Sequence, residues 1–174
     1  MRGAGDLLGQ TQAGHMRLIG VELYQQLLEG ALRTARGETV ERWTPELYLG
    51  IDGWLPADWI QDEDVRLSLY ARLARLRDID DVDGFEEELR DRFGALPRAA
   101  ERLMTITRVR ELARGHGIAR IDAGPAAIAL TPRPDSAAGE AIEGLTEKNG
   151  RLILSERIED ASERLARLAA LLEH

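Results

Sequence analysis

The chain has 174 residues, 44% of them hydrophobic, enough to bury one substantial core and too few for two full domains. It has no cysteine, which excludes a disulfide framework and a thiolate zinc site, and no apolar run of membrane-spanning length, so a cytoplasmic setting is expected. A net charge of −8 argues against a segment that itself grips a nucleic-acid backbone, because that needs a basic face able to release counterions.

In chain order, a glycine-dense stretch with Gly3, Gly5, Gly9 and Gly14 comes first. Such a loop normally lies between elements that hold its backbone, so the sequence is expected to be cut from a longer chain. From about Met16 to Arg36, Ile19, Leu23, Leu27 and Tyr24, Leu28, Ala31 recur at helical spacing, predicting a long amphipathic arm ended by Gly37. Leu47, Leu49 and Ile51 alternate with Glu46, Tyr48 and Gly50 as in a half-buried strand closed by Gly53 and Pro56. Asp62 or Asp64 can cap a helix carrying Val65, Leu69, Leu73 and Leu76, and a second helix is predicted from about Val82 to Phe93, ended by Gly94.

Pro97 opens a third helix through Leu103, Ile106, Arg110 and Ala113 that stops at Gly115 and Gly117. Two short antiparallel strands follow, Ile118 to Asp122 and Ala126 to Thr131, around Ala123-Gly124-Pro125. Pro132 and Pro134 break the chain, and Ser136 to Leu145 reads as a weak helix or a loop. Arg151 to Ser155 is the predicted last strand, and Glu159 and Asp160 open a closing helix through Ala161, Leu165 and Leu168. The predicted class is α+β: helices interspersed with a small, mostly antiparallel sheet, preceded by an N-terminal helical arm.

Few constellations survive a chemical reading. Gly3, Gly5 and Gly9 suggest a phosphate loop, but no Gly-Lys-Ser/Thr follows, and the third glycine sits one position too late for a dinucleotide fingerprint. Asp78, Asp80, Asp81, Asp83 and Gly84 imitate a calcium loop until the register is counted, which places Ile79 at position one and Arg90 at position twelve. Acids dressing a helix N-terminus explain them better. Glu86, Glu87, Glu88 and Asp91 have no histidine or lysine beside them that would make a catalytic pair, and His15 and His116 are isolated, each next to a glycine. Trp54 and Trp59 flank Pro56 and read as lids over the core rather than as a base-stacking platform. Glu88 and Asp91 lie three apart on one helix face, which fits either a solvated surface or a contact with a basic partner.

Three blocks carry a family resemblance: Arg2-Gly3-Ala4-Gly5-Asp6-Leu7-Leu8-Gly9 with Gln12-Ala13-Gly14-His15; Trp59-Ile60-Gln61-Asp62 with Arg66-Leu67-Ser68-Leu69-Tyr70; and Glu87-Glu88-Leu89-Arg90-Asp91-Arg92-Phe93-Gly94-Ala95-Leu96-Pro97. The first resembles the loop of the translocation motif shared by the RecG helicase and the Mfd-type transcription-repair coupling factors. The other two are similar to the terminal domain of the coupling factors alone. Gln10 and Thr11 stand where that family usually has acids, and Ala13 where it usually has serine.

The resemblance implies a non-catalytic regulatory region of a larger ATP- and Mg-dependent DNA translocase, with no cofactor of its own. Residues 1–40 would be the end of the translocation motif with its connecting helix, residues 41–171 the regulatory domain, and residues 172–174 a tag remnant. Arg2, Gly3, Gly5, Gly9, Gln12 and Gly14 would couple the motor to DNA-contacting elements. The regulatory domain would pack on an intramolecular UvrB-like module and cover its UvrA-binding surface, with Glu88 and Asp91 meeting basic residues there. The parent would engage RNA polymerase, UvrA and duplex DNA, and no membrane. The alternative role is a structural element coupling the ATPase to translocation. The arm helix is expected to expose an apolar stripe through which the piece self-associates.

Overall fold

A computed structural model of the chain describes residues 43–136 and 142–174. The expected translocation loop and arm helix lie outside the described residues.

The first strand, β1 (Glu46–Tyr48), leads into three helices, α1 (Glu63–Leu73), α2 (Ile79–Phe93) and α3 (Arg98–Gly115). The strands β2 (Ile118–Ala123), β3 (Ile128–Pro132), β4 (Thr146–Lys148) and β5 (Arg151–Leu154) follow, and α4 (Ala161–Leu172) closes the chain. The fold is α+β.

Local chemistry sets the helix starts. Asp62 accepts from the Val65 amide at 3.2 Å, Asp78 from the Asp81 amide at 2.8 Å, and Asp160 from the Ser162 and Glu163 amides at 2.9 Å each. Asp78 moves the start of α2 to Ile79, ahead of the Val82 expected from apolar spacing, because a capped first turn needs no apolar residue. Asp80 and Asp81 complement the helix dipole there, as the reading against a calcium loop anticipated. Gly94, at φ +85°, ends α2.

The five strands form one sheet in the order β1-β2-β3-β5-β4. Three of its four pairings are antiparallel, while β1 lies parallel to β2 with Leu47 opposite Ile121. A parallel partner requires a long crossover, which α1 to α3 supply. The strand β4 was not anticipated. It pairs with β5 through a two-residue turn in which Asn149 (φ +54°) and Gly150 (φ +74°) are both left-handed, as a tight hairpin demands.

Two apolar clusters share α3 as a wall. Ile106, Val109 and Ala113 join the sheet residues Ile118, Ile121, Ile128 and Leu130 and the α4 residues Leu165 and Leu168. Ala100, Leu103 and Met104, nearer the start of α3, join Leu69, Leu73, Val82, Phe85 and Leu89 from α1 and α2. Trp54 and Trp59 pack half-buried against this second cluster, as lids should, and Trp59 Nε1 donates to the Phe93 carbonyl at 2.9 Å.

Leu172, which the sequence grouped with a terminal tag remnant, is the last residue of α4 and fully buried. His116 Nε2 donates to its carbonyl at 2.8 Å, so the folded unit takes in Leu172. Of the stretch 136–145, the described residues 142–145 form bends and a turn, with Ile142 buried.

Candidate interaction surface

The helix α2 presents its acids in two groups because of how it packs. Val82, Phe85 and Leu89 are buried against α1 and α3, and this fixes the helix rotation. Acids near the seam with those helices meet their arginines. Arg108 of α3 bonds the Asp83 carboxylate and lies 3.8 Å from Glu86, which also accepts from Arg90 at 2.8 Å.

Glu88 is held most firmly. Both its oxygens accept from Arg72 of α1, at 2.7 and 2.6 Å, and Arg92 one turn on adds a third bond at 2.8 Å. Arg72 lies over the Phe85 ring at 5.2 Å and Arg92 over the Phe93 ring at 4.8 Å, so the core braces both guanidiniums. The hydrogen bonds from Arg72 and then Arg92 pull the Glu88 carboxyl from its ordinary 4.5 down to about 2.

The two acids singled out in the sequence are therefore not presented alike. Asp91 is exposed and makes no hydrogen bond or ion pair among the described residues, whereas Glu88 is engaged within its own domain. The residues that share the free face with Asp91 are Asp80 and Glu87, at the helical repeat of eleven and four positions, both exposed. Gly84 lies on the same stripe with open space beside it. This stripe is legible in sequence as a long helical repeat, which the closer pairing of Glu88 with Asp91 obscured. Arg2, Gly3, Gly5, Gly9, Gln12 and Gly14 lie outside the described residues.

Because Glu88 titrates lower when folded than when unfolded, its clamp stabilises the fold above the unfolded value and is lost as pH falls from about 4.5 through about 2. The pair is one-third exposed on the Glu88 side, so its worth is at most about 1 kcal/mol. Arg72→Ala should return the Glu88 carboxyl toward its ordinary value in a carboxyl-carbon NMR titration. Finding Glu88 already at that value in the unaltered chain would contradict the clamp.

Among the described residues no group of three or more His, Cys, Asp or Glu side chains could hold a metal ion, and no helix is long and apolar enough to cross a membrane. Residues 49–141 match the TRCF domain. The chain belongs to the TRCF domain family.

Its relatives include the transcription-repair-coupling factor of Escherichia coli K12, 40% identical over 128 residues, or 70% of this chain and 11% of that protein. That of Mycobacterium tuberculosis CDC 1551 is 40% identical over 152 residues, 79% of this chain and 12% of its own length. That of Bacillus subtilis 168 is 30% identical over 158 residues, 88% and 13% respectively. The chain thus spans about an eighth of the relatives it matches. A crystal structure of the C-terminal domain of transcription-repair coupling factor superposes with a TM-score of 0.64 at 21% identity, over 78% of this chain and 94% of that one. This is a likeness of fold.

Proposed function

We propose that this TRCF domain is the non-catalytic, regulatory part of a cytoplasmic transcription-repair coupling translocase, and that it restrains its parent by packing on the UvrB-like module and covering the UvrA-binding surface. The observation that carries this reading is the solvent-facing stripe of Asp80, Glu87 and Asp91 on a helix whose Asp83, Glu86 and Glu88 are already paired with arginines at home. Such a stripe is rigid, unpaired and single-signed, which suits recognition of a basic surface. Glu88 belongs to the same contact as its brace, since Arg72 and Arg92 fix the helix turn that presents Asp91.

The parent would supply the ATPase with its Mg and engage RNA polymerase, UvrA and duplex DNA. The covering contact must be modest, a bias of a few kcal/mol, so that engagement with polymerase and DNA overturns it. A charge-complementary, partly solvated interface meets that requirement, whereas a large apolar one would hold too tightly.

The test is charge reversal in the full-length parent. Glu87→Arg with Asp91→Arg should raise UvrA affinity about tenfold through loss of interfacial charge pairs. ATP hydrolysis and the melting of the domain should stay unchanged, because neither side chain contributes to a bond within it. Unaltered UvrA affinity in that folded double variant would remove the reading.

A further inference from the structure

A groove opens on another part of the domain, where the first half of α3 diverges from the start of α4. It encloses about 340 Å³. Arg98, Arg102 and Thr105 line one wall, and Ser162, Leu165 and Ala166 the other. Leu165 is a buried core residue that offers an apolar floor, and Ala166 is small and exposed, so a backbone can come close on the α4 side.

Arg72, Arg90, Arg92 and Arg108 around α2 all bond carboxylates, and Arg110 and Arg114 farther along α3 bond Glu111. Arg98 and Arg102 make no hydrogen bond or ion pair among the described residues. Arg75, Arg77 and Arg151 elsewhere on the described surface also make no side-chain hydrogen bond or ion pair, and what sets Arg98 and Arg102 apart from them is that both line this groove. Arg102 is half-buried and Arg98 exposed. Glu101 lies between them in sequence and on the same groove, yet it pairs with neither. Two cations one helical turn apart therefore face a concavity in a chain whose net charge is −8.

We propose that this groove docks an acidic amphipathic helix of a partner protein. Arg98 and Arg102 lie four residues apart, the separation at which two glutamates on a facing helix present their carboxylates, and each guanidinium can take one carboxylate in a two-pronged bond. An apolar side chain between those glutamates drops toward Leu165, the pattern by which a helix seats in a groove. A nucleic acid is the poorer occupant: its backbone needs a continuous basic track, and here two arginines stand beside Glu101 above an apolar floor. The site is remote in character from the acidic stripe of α2 and stands whether or not that stripe covers a UvrA-binding surface.

The experiment is an amide NMR titration of the labelled chain with a short, end-capped helical peptide that carries two glutamates one turn apart and a leucine between them. The same peptide with glutamine for glutamate and a short oligothymidylate serve as the other probes. Saturable shifts centred on residues 98–105 and 162–166 are expected. Affinity should fall about tenfold with the glutamine peptide and again with Arg98→Glu plus Arg102→Glu. Both arginines lack internal partners, so the variant should keep its fold, which its unchanged core resonances would verify. Absence of saturable shifts, or binding indifferent to the charge reversal, overturns the proposal. Tighter binding of the oligothymidylate at this groove overturns it too, by giving the site to nucleic acid.

Discussion

Glu111→Ala should destabilise the domain by about 3–5 kcal/mol, the largest loss expected from a single truncation of a polar side chain here. The Glu111 side chain is 2% exposed. It accepts from Arg110 Nε at 3.2 Å and also bonds the Arg114 guanidinium. Those arginines work at both ends, because Arg110 Nη2 donates to the Leu73 carbonyl at 3.2 Å and Arg114 Nη2 to the Arg77 carbonyl at 2.6 Å. Glu111 thus neutralises the two cations that tie the end of α1 and the turn after it to α3. Alanine would leave buried guanidinium charge without the Glu111 carboxylate and loosen α1 and the turn after it from α3. Urea unfolding followed by far-UV circular dichroism would read the loss as a lower midpoint. A change below about 1 kcal/mol would mean that the buried pair does little to hold α1 on α3.

Gly53→Ala should cost about 3 kcal/mol, at the upper end of overpacking effects. A Cβ at this position would lie 2.2 Å from the Leu103 amide nitrogen, 2.5 Å from its Cα and 2.8 Å from the Arg102 carbonyl carbon. All three are backbone atoms in a helix, which cannot yield as a side-chain tip does. The amide of the next residue, Trp54, donates to the Ala99 carbonyl at 3.1 Å, so any retreat of the loop also strains that bond. The same displacement lifts Leu55 and Trp54 from the cluster beneath α1 and α2. Unaltered stability in thermal and urea unfolding would show that the close approach is not required.

Much of this architecture is written in short-range chemistry. Asp62, Asp78 and Asp160 announce helix starts because a capping carboxylate acts within three residues, and the stripe through Val65, Leu69 and Leu73 records burial that one helix repeat determines. The hairpin turn at Asn149-Gly150 was equally local. It went unread because β4 has three exposed residues and no apolar alternation to advertise a strand. The parallel pairing of β1 with β2 is another matter. It depends on where three intervening helices deliver the chain, and alternation along β1 looks the same for either direction.

At the candidate surface the limit of local reading is a single bond. The Glu88–Arg92 pair follows from helical spacing, but the two-pronged bond from Arg72 spans sixteen residues and two helices. Only the packing of α1 on α2 reveals that Glu88 is engaged and Asp91 is left free. The family resemblance pointed to this helix. Which of its acids are available is a property of the fold.

The most direct measurement is a competition in trans. The UvrB-like module, produced without its regulatory domain, is titrated with UvrA in the presence of increasing amounts of this chain. The account predicts that the chain binds the module, that UvrA and the chain displace one another, and that Glu87→Arg with Asp91→Arg abolishes the competition while leaving the chain folded. Simultaneous binding of UvrA and the unaltered chain to the module, or no binding of the chain at all, would contradict it.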